Sequence, residues 1–224
     1  MRLRVRLGLV IACTLAAEPA AAGIVTGTLW MTRESLEAHQ KSGAEPTIRR
    51  QIGVTDAVIY VDALPEKVDE KLAATRRWFW QRRETPHLPR VVQNNHRFDP
   101  RVMSVPVGTR AEFQNLDHVY HNVFSVSPAK RFDLGKYPPG RIDTVAFERV
   151  GVINLHCDIH PDELAYIVVT PNHAVARPDS LGRFKLPKLP PGSYTLRVFH
   201  PRRGEFARPV EVPKKGDVSV DLAF

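Results

Sequence analysis

The sequence predicts an all-β protein, and three observations support this fold class. Residues 151–157 have the alternation of a strand, with Ile153, Leu155 and Cys157 on one face, and after a short polar loop an apolar, β-branched run follows over residues 166–169. Toward the C-terminus, alternating apolar residues are separated by turns rich in Asp, Pro and Gly. The stretch that suits a helix, Glu66 to Thr75, is short.

Residues 1–22 have the pattern of a secretory signal. Arg2, Arg4 and Arg6 precede an apolar run over residues 7–17 that is too short to span a bilayer, and small residues follow at 20–22. The sequence therefore predicts export, with a periplasmic location. The alternative is a lipoprotein cleavage box ending at Cys13, which would tether the chain to a membrane through a lipidated cysteine.

Signal removal leaves Cys157 as the cysteine of the mature chain. An exported protein usually pairs its thiols or avoids them, so an unpaired thiol needs an explanation. Three interpretations stay open for this residue alone: an inert buried thiol, a bridge to another chain, and a metal ligand.

The loop after Cys157 carries side chains of metal-binding type. Ile153, Leu155 and Cys157 fall on the inner face of a predicted strand, and His160 and Glu163 follow within the loop. A thiolate and an imidazole three residues apart can converge on one ion at a strand end. Such a loop supplies two or three ligands, so at least one more must come from elsewhere.

His121 is the candidate for the ligand outside this loop. Val119, His121 and Val123 occupy alternate positions of a predicted strand, which puts the histidine on one face with two valines. A histidine in this position also fits a hydrogen-bonded core residue, so the pattern by itself leaves both interpretations open.

Two blocks, His121-Asn122-Val123-Phe124 and Cys157-Asp158-Ile159-His160-Pro161, resemble the ligand-bearing blocks of the cupredoxins. The short loop is similar to that of amicyanin-like and methylamine utilisation protein-like copper domains, and the resemblance covers residues 91–170. It implies a Greek-key β-sandwich or barrel that holds one type 1-like copper ion through His121, Cys157 and His160. It also implies electron transfer, with Asn122 bracing the site by hydrogen bonds.

Glu163 is where the sequence departs from this resemblance. The similar loops carry Met at this position, and the methionines after the signal, Met31 and Met103, lie in other segments. Glu163 either binds copper axially, turns outward to leave a three-coordinate or water-bound copper, or favours a harder ion. An anionic oxygen ligand stabilises Cu(II) over Cu(I), so we predict a reduction potential below that of Met-ligated relatives.

The other histidines show no converging spacing. His118 and His156 flank the predicted ligands, but alternation turns His156 away from the metal, and both are expected to be exposed loop residues. The remaining histidines are expected to have no role in the site: His39, His87, His96, His173 and His200.

The segment after residue 170 predicts a second β-unit. The pattern Asp-x2-Gly-x-Phe-x-Leu over 179–186 and the pattern Leu-Pro-Pro-Gly-x-Tyr-x-Leu over 189–196 resemble the carboxypeptidase regulatory-like, transthyretin-like β-sandwich. Asp179 and Gly182 are expected to build one hairpin corner. The alternation around these corners predicts two half-buried strands.

The start of this second resemblance stands far upstream, over residues 23–29 and 56–61. Our hypothesis is a discontinuous sandwich with the copper-binding unit inserted between its halves, and the alternative assigns the upstream strands to the cupredoxin sheet. The predicted division of the chain is a signal (1–22), N-terminal strands (23–62), an insertion (63–90), a cupredoxin domain (91–170) and the smaller sandwich (171–224).

The insertion carries a basic-aromatic cluster over residues 76–83, with four arginines and three aromatic residues. The aromatic rings either pack on the sandwich, with the arginines solvated, or form a docking face for an acidic redox partner or anionic lipid. Such clusters also stack on nucleobases. An exported protein meets little nucleic acid, however, so nucleic-acid binding is not predicted.

No catalytic constellation is predicted. Cys157 and His160 lie in one short loop without a Gly-rich oxyanion loop beside them, which argues against a nucleophile pair. Two functions from different classes remain. The first is an electron carrier with reversible copper chemistry, and the second is a copper-binding, copper-delivery or structural protein of the envelope without electron transfer.

Overall fold

The computed structural model describes residues 22–30, 54–81 and 88–224, without the side chains of residues 76–81. Within these ranges, no helix is long and apolar enough to cross a membrane. Several sequence-based interpretations concern residues outside the described part and stay predictions: the signal, the Cys13 cleavage box, the positions of Met31, His39 and His87, and the packing of the basic-aromatic cluster.

The regular structure of the described part of the chain consists mostly of strands, which confirms the all-β prediction. It contains one α-helix, α1 (Glu66–Gln81), and one short 3-10 turn (Val54–Asp56). The strands are β1 (Val25–Trp30), β2 (Val58–Val61), β3 (Arg90–Gln93), β4 (Phe98–Asp99), β5 (Val102–Pro106), β6 (Thr109–Asn115), β7 (His121–Ser125), β8 (Phe132–Tyr137), β9 (Ile142–Phe147), β10 (Gly151–His156), β11 (Leu164–Thr170), β12 (Val175–Ala176), β13 (Arg183–Lys185), β14 (Gly192–His200), β15 (Gly204–Val212), β16 (Val218–Ser219) and β17 (Leu222–Ala223).

The middle of the chain forms two facing sheets around one core. One sheet has the strand order β5-β11-β10-β7-β8, and the other has the order β4-β3-β6-β9. Alternate residues of these strands point inward, as the period of a strand requires. The largest side chains enclosed between the sheets are Phe113, Tyr137, Phe147, Ile153, Leu155 and Ile167.

The two ends of the chain form a second pair of sheets. One sheet has the order β13-β1-β16, with β17 also on β1, and the other has the order β12-β2-β14-β15. Gly27 of β1 lies opposite Phe184, and Ile59 of β2 lies opposite Val198. The upstream strands therefore pair with the last third of the chain, as the discontinuous hypothesis requires. The domain boundaries and the transthyretin-like assignment stay predictions.

A separate apolar cluster joins the two pairs of sheets. Its buried members come from both sides of the junction: Val58, Tyr60, Val102, Val168 and Phe199. Arg177 adds polar contacts, because its guanidinium donates to the carbonyl oxygens of Val102 at 2.8 Å and Thr55 at 3.0 Å. These contacts fix the middle pair of sheets against the terminal pair.

Helix α1 is longer than the sequence pattern predicts, since it continues from Thr75 to Gln81. No Gly or Pro interrupts residues 66–81, so nothing in the local sequence ends the helix earlier. Asp69 ties the helix to the rest of the molecule. Its Oδ1 accepts hydrogen bonds from the backbone N–H of His173 at 2.7 Å and from the His173 ring Nδ1 at 3.0 Å.

Candidate metal centre

Four side chains that the sequence singles out converge at one end of the middle sheets. The donor atoms of His121, Cys157, His160 and Glu163 all lie within 4.8 Å of one another. The two histidine Nδ1 atoms are 3.1 Å apart, and each is 3.0 Å from Glu163 Oε1. Cys157 Sγ lies 3.9 Å from Nδ1 of His121 and 3.8 Å from Nδ1 of His160.

These separations match the space that one metal ion needs. Bonds of about 2.0–2.3 Å to nitrogen, oxygen and sulfur donors give donor–donor distances of roughly 3.3–3.8 Å in a tetrahedron. The separations of the two Nδ1 atoms from each other, from Glu163 Oε1 and from Cys157 Sγ, 3.0–3.9 Å, lie near this range. The structure therefore brings the four residues together, and their binding of a metal stays a prediction.

The loop between β10 and β11 places three of the four side chains. Cys157 directly follows β10 and is 3% exposed, while Glu163 directly precedes β11 and is 2% exposed. A hydrogen bond from the Glu163 backbone N–H to the His160 carbonyl closes the turn between them at 3.0 Å. His160 is the member of the cluster that reaches solvent, with 26% of its side chain exposed.

His121 is the first residue of β7, and the turn before it corrects one prediction. Val119 is not in the strand, as the alternation suggested, but lies in a loop and is 41% exposed. The Asn115 side chain organises this loop, because its Nδ2 donates to the Val119 carbonyl at 2.8 Å and its Oδ1 accepts from the Asp117 N–H at 2.9 Å. The loop delivers His121 to the interior, where it is fully buried.

Asp117 fixes the orientation of the His121 ring. Its Oδ2 lies 2.9 Å from His121 Nε2, and because a carboxylate oxygen accepts, Nε2 is the donor and Nδ1 faces the cluster. Partial burial acts to raise the pKa of Asp117. The hydrogen bonds from the backbone N–H groups of His96 and Asn95 and the interaction with His121 outweigh this effect, so the pKa lies below its usual value.

The chemistry of the donor atoms fits a cation. Glu163 Oε1 is buried and has no hydrogen-bond partner among the described residues, although two Nδ1 atoms lie 3.0 Å away. An unpaired buried carboxylate oxygen is costly. Oxygen, nitrogen and sulfur donor atoms thus face one point, and a bound metal ion would satisfy all of them.

Asn122, the residue after His121 in β7, makes hydrogen bonds through its side chain and its backbone. Its Nδ2 donates to Asp133 Oδ1 at 2.7 Å, which links β7 to the neighbouring β8. Its backbone carbonyl accepts a hydrogen bond from Gln93 Nε2 at 3.3 Å. These bonds hold the residue next to His121 from two sides.

His96 lies near the site, so the expectation that it has no role there is wrong in its placement. It lies in the turn between β3 and β4, and its exposed ring is 4.5 Å from the His160 ring and 5.8 Å from the His121 ring, measured between centroids. Asn95 and His96 both have positive φ, at 52° and 54°. Two adjacent residues with positive φ suit a tight hairpin turn, and the Asn95-His96 pair is the sequence signal for that turn.

Most of the other histidines behave as expected. His118 is exposed in the loop before β7, whereas His156 is the last residue of β10 and is half-buried, with its ring 5.5 Å from that of Phe124. His156 is therefore a strand residue rather than a loop residue. His173 contacts helix α1, and His200 lies at the end of β14 in the terminal sheets.

Part of this chain is similar to several solved structures. A nitrite reductase (NirK) from Thermus scotoductus SA-01 is 27% identical over 38% of this chain and 23% of its own length, with a TM-score of 0.36. A purple cupredoxin from Nitrosopumilus maritimus is 23% identical over 37% of this chain and 99% of its own, with a TM-score of 0.34. A methionine-to-alanine variant of amicyanin in its Cu(I) form is 20% identical over 37% and 81%, with a TM-score of 0.35.

The match to the nitrite reductase spans about a quarter of that enzyme. No protein-family model and no curated protein matches the chain.

Proposed function

We propose that this protein is a type 1-like copper protein that carries electrons through a mononuclear site formed by His121, Cys157, His160 and Glu163. One observation carries the proposal. Two imidazole Nδ1 atoms, a thiol sulfur and an orphaned buried carboxylate oxygen lie around a single point. Two histidines and a cysteine with a further weak ligand are the donor set of copper electron-transfer sites.

The four residues would play distinct parts. Copper bound here would supply exchange of one electron between Cu(I) and Cu(II). Cys157, His121 and His160 provide soft and borderline donors that suit both states. The ends of β7 and β10 hold His121 and Cys157 in a fully packed core, so their positions change little when the charge changes. His160, which reaches solvent, gives the path to a partner protein.

The experiment that tests this proposal is a Cu(II) titration of the purified protein, followed by visible and EPR spectroscopy. We expect one equivalent of copper to give an intense thiolate-to-copper charge-transfer band. Cys157→Ser is the control, because serine keeps the size of the side chain and removes the thiolate. The charge-transfer band should vanish in Cys157→Ser. In the wild type, one electron per copper should bleach the band reversibly.

A featureless spectrum in the wild-type protein would contradict the electron-carrier proposal. A second function, copper binding or delivery without electron transfer, is favoured by one observation, the carboxylate of Glu163 in place of a thioether. It predicts a weak band, exchangeable copper and no reversible electron uptake. A rapid loss of copper to a chelator would separate this second function from the first.

The proposal extends to setting and partners. The signal pattern supports export to the periplasm, and the basic-aromatic cluster supports an acidic redox partner protein, without nucleic acid. We further propose that the protein is not an enzyme, because three of the four clustered side chains are buried. Finding the protein in a periplasmic extract after osmotic shock would test the first point.

A further inference from the structure

A chain of buried hydrogen bonds lies behind Glu163. Gln93 ends β3, is 1% exposed, and contacts Glu163 from a position 70 residues earlier in the sequence. Its Nε2 donates to Glu163 Oε2 at 2.5 Å and to the Asn122 carbonyl at 3.3 Å. The Tyr137 hydroxyl donates to Gln93 Oε1. The amide of Gln93 is therefore satisfied on both sides.

The direction of these hydrogen bonds is fixed by chemistry. A backbone carbonyl only accepts, so the nitrogen of the Gln93 amide must face Asn122. The same nitrogen faces Glu163, and the amide oxygen is left for the Tyr137 hydroxyl. Glu163 Oε2 is consequently an acceptor, and the carboxylate cannot rotate without breaking a buried bond.

The other oxygen of Glu163 is thereby directed at the metal centre. Oε1 lies 3.0 Å from both histidine Nδ1 atoms and has no hydrogen-bond partner among the described residues. We propose that Gln93 and Tyr137 are positioning residues that commit Glu163 Oε1 to the bound ion and so set a preference for Cu(II) over Cu(I). This inference rests on the proposed copper site.

The charge of the donors explains the preference. A thiolate and a carboxylate together bring two negative charges, which a divalent ion neutralises and a monovalent ion leaves half compensated. An uncompensated charge in a buried site is costly. If Glu163 could turn away, the penalty on Cu(I) would fall. Gln93 and Tyr137 prevent that movement.

Tyr137→Phe tests the proposal, because it removes the hydroxyl and keeps the ring. The matched control is Tyr60→Phe, another buried tyrosine, whose hydroxyl contacts Glu205 at 3.5 Å in the terminal sheets. Affinities for Cu(II) and Cu(I) are measured by competition with chelators. We expect Tyr137→Phe to lower the ratio of Cu(II) to Cu(I) affinity by about tenfold or more and to shift the charge-transfer band. Tyr60→Phe should change neither.

A double-mutant cycle separates positioning from a general loss of packing. In a Glu163→Gln background, Tyr137→Phe should have no further effect on the affinity ratio, since its action passes through the carboxylate. Gln93→Met provides a second variant, which keeps the length of the side chain and removes the amide, and circular dichroism checks the fold of each. Gln93→Met should lower the ratio of Cu(II) to Cu(I) affinity, as Tyr137→Phe does.

Two failures can be told apart. A wild-type protein without a thiolate–copper band would overturn the copper site and the positioning role together. A wild-type band with an affinity ratio and spectrum unchanged in Tyr137→Phe and Gln93→Met would overturn the positioning role alone. An equal effect of Tyr137→Phe with and without Glu163 would also overturn it.

Discussion

Asp117 supports both a candidate ligand and the turn that carries His96. One oxygen, Oδ2, faces His121 Nε2 at 2.9 Å and accepts the His96 backbone N–H at 3.0 Å. The other oxygen accepts the Asn95 N–H at 2.7 Å. The carboxylate therefore holds the β3–β4 turn over the cluster and fixes the tautomer of His121 at the same time.

Glu163→Met tests the role of the carboxylate directly. The substitution replaces a buried anionic donor by a neutral thioether, which favours Cu(I). We expect a higher reduction potential, measured by redox titration of the copper-loaded protein. We also expect a visible spectrum closer to that of a blue copper site. Asp162→Met is the control, since Asp162 is the exposed carboxylate beside it. If neither quantity changes in Glu163→Met, Glu163 is not a ligand.

The sequence singles out the four clustered residues because three of them share one loop and the fourth lies in a recognisable block. It does not identify Gln93 or Tyr137, whose hydrogen bonds join residues 44 to 70 positions apart. A lone Gln at a strand end carries no chemical signal. His96 is not predicted either, since its place beside His160 depends on how the sheets pack.

Among the secondary-structure elements, the hairpin before β13 follows the sequence closely. Asp179 accepts hydrogen bonds from the backbone N–H groups of Leu181 and Arg183 at 2.9 Å through its side chain, and from Gly182 at 2.9 Å through its carbonyl. The Arg183 guanidinium lowers the pKa of the Asp179 carboxyl, and the two N–H groups lower it further. By contrast, the start of β7 was misjudged, because a loop stabilised by Asn115 replaces two residues of the alternating pattern.

Gly182 makes the contact between this hairpin and β1. Its φ is +78°, and an added Cβ would lie 2.1 Å from the Leu29 carbonyl oxygen. Gly204 is a matched control with φ of +71° and nothing within 4 Å. We expect Gly204→Ala to lower the free energy of unfolding by about 1 kcal/mol through backbone strain alone. Gly182→Ala should lower it by about 3 kcal/mol, because the clash adds to that strain.

Urea unfolding followed by circular dichroism measures both variants. The copper spectrum of each folded variant should match the wild type, since neither glycine lies in the sheets that hold the metal centre. Equal losses of stability in the two variants would mean that β1 does not lie against Gly182 in solution.

At the scale of the whole molecule, we expect part of the pH dependence of stability to come from a histidine far from the candidate metal centre. His200 is 2% exposed at the end of β14, with its ring 5.4 Å from that of Phe224. Burial lowers the pKa of His200 to about 4, against an ordinary value of 6.5. Arg101, Arg202 and Arg203 lower this pKa as well, and Asp56 opposes them.

The sign of the pH effect follows from this shift. Between pH 6.5 and 4 the unfolded chain binds a proton at His200 that the folded protein does not, so stability falls as the pH falls. The loss attributable to this residue is about 3 kcal/mol. It should shrink in His200→Asn, whose amide oxygen can replace the Nδ1 acceptor of the Arg202 N–H.

Urea unfolding of the metal-free protein at several pH values provides the measurement. His118→Asn, an exposed histidine, is the control and should keep the wild-type dependence. A dependence on pH that is the same in His200→Asn and in the wild type would show that His200 is not held neutral by the fold.

The pairing of β1 and β2 with the end of the chain affects the order in which the protein can assemble during synthesis. Ile24 donates a hydrogen bond to Asp217, 193 residues later, and β2 lies between strands that begin at Val175 and Gly192. In the described part of the chain, strands β3 to β11 pair only with one another. The unit with the candidate metal centre can therefore fold completely before the partners of β1 and β2 have been synthesised, although β1 and β2 are made first.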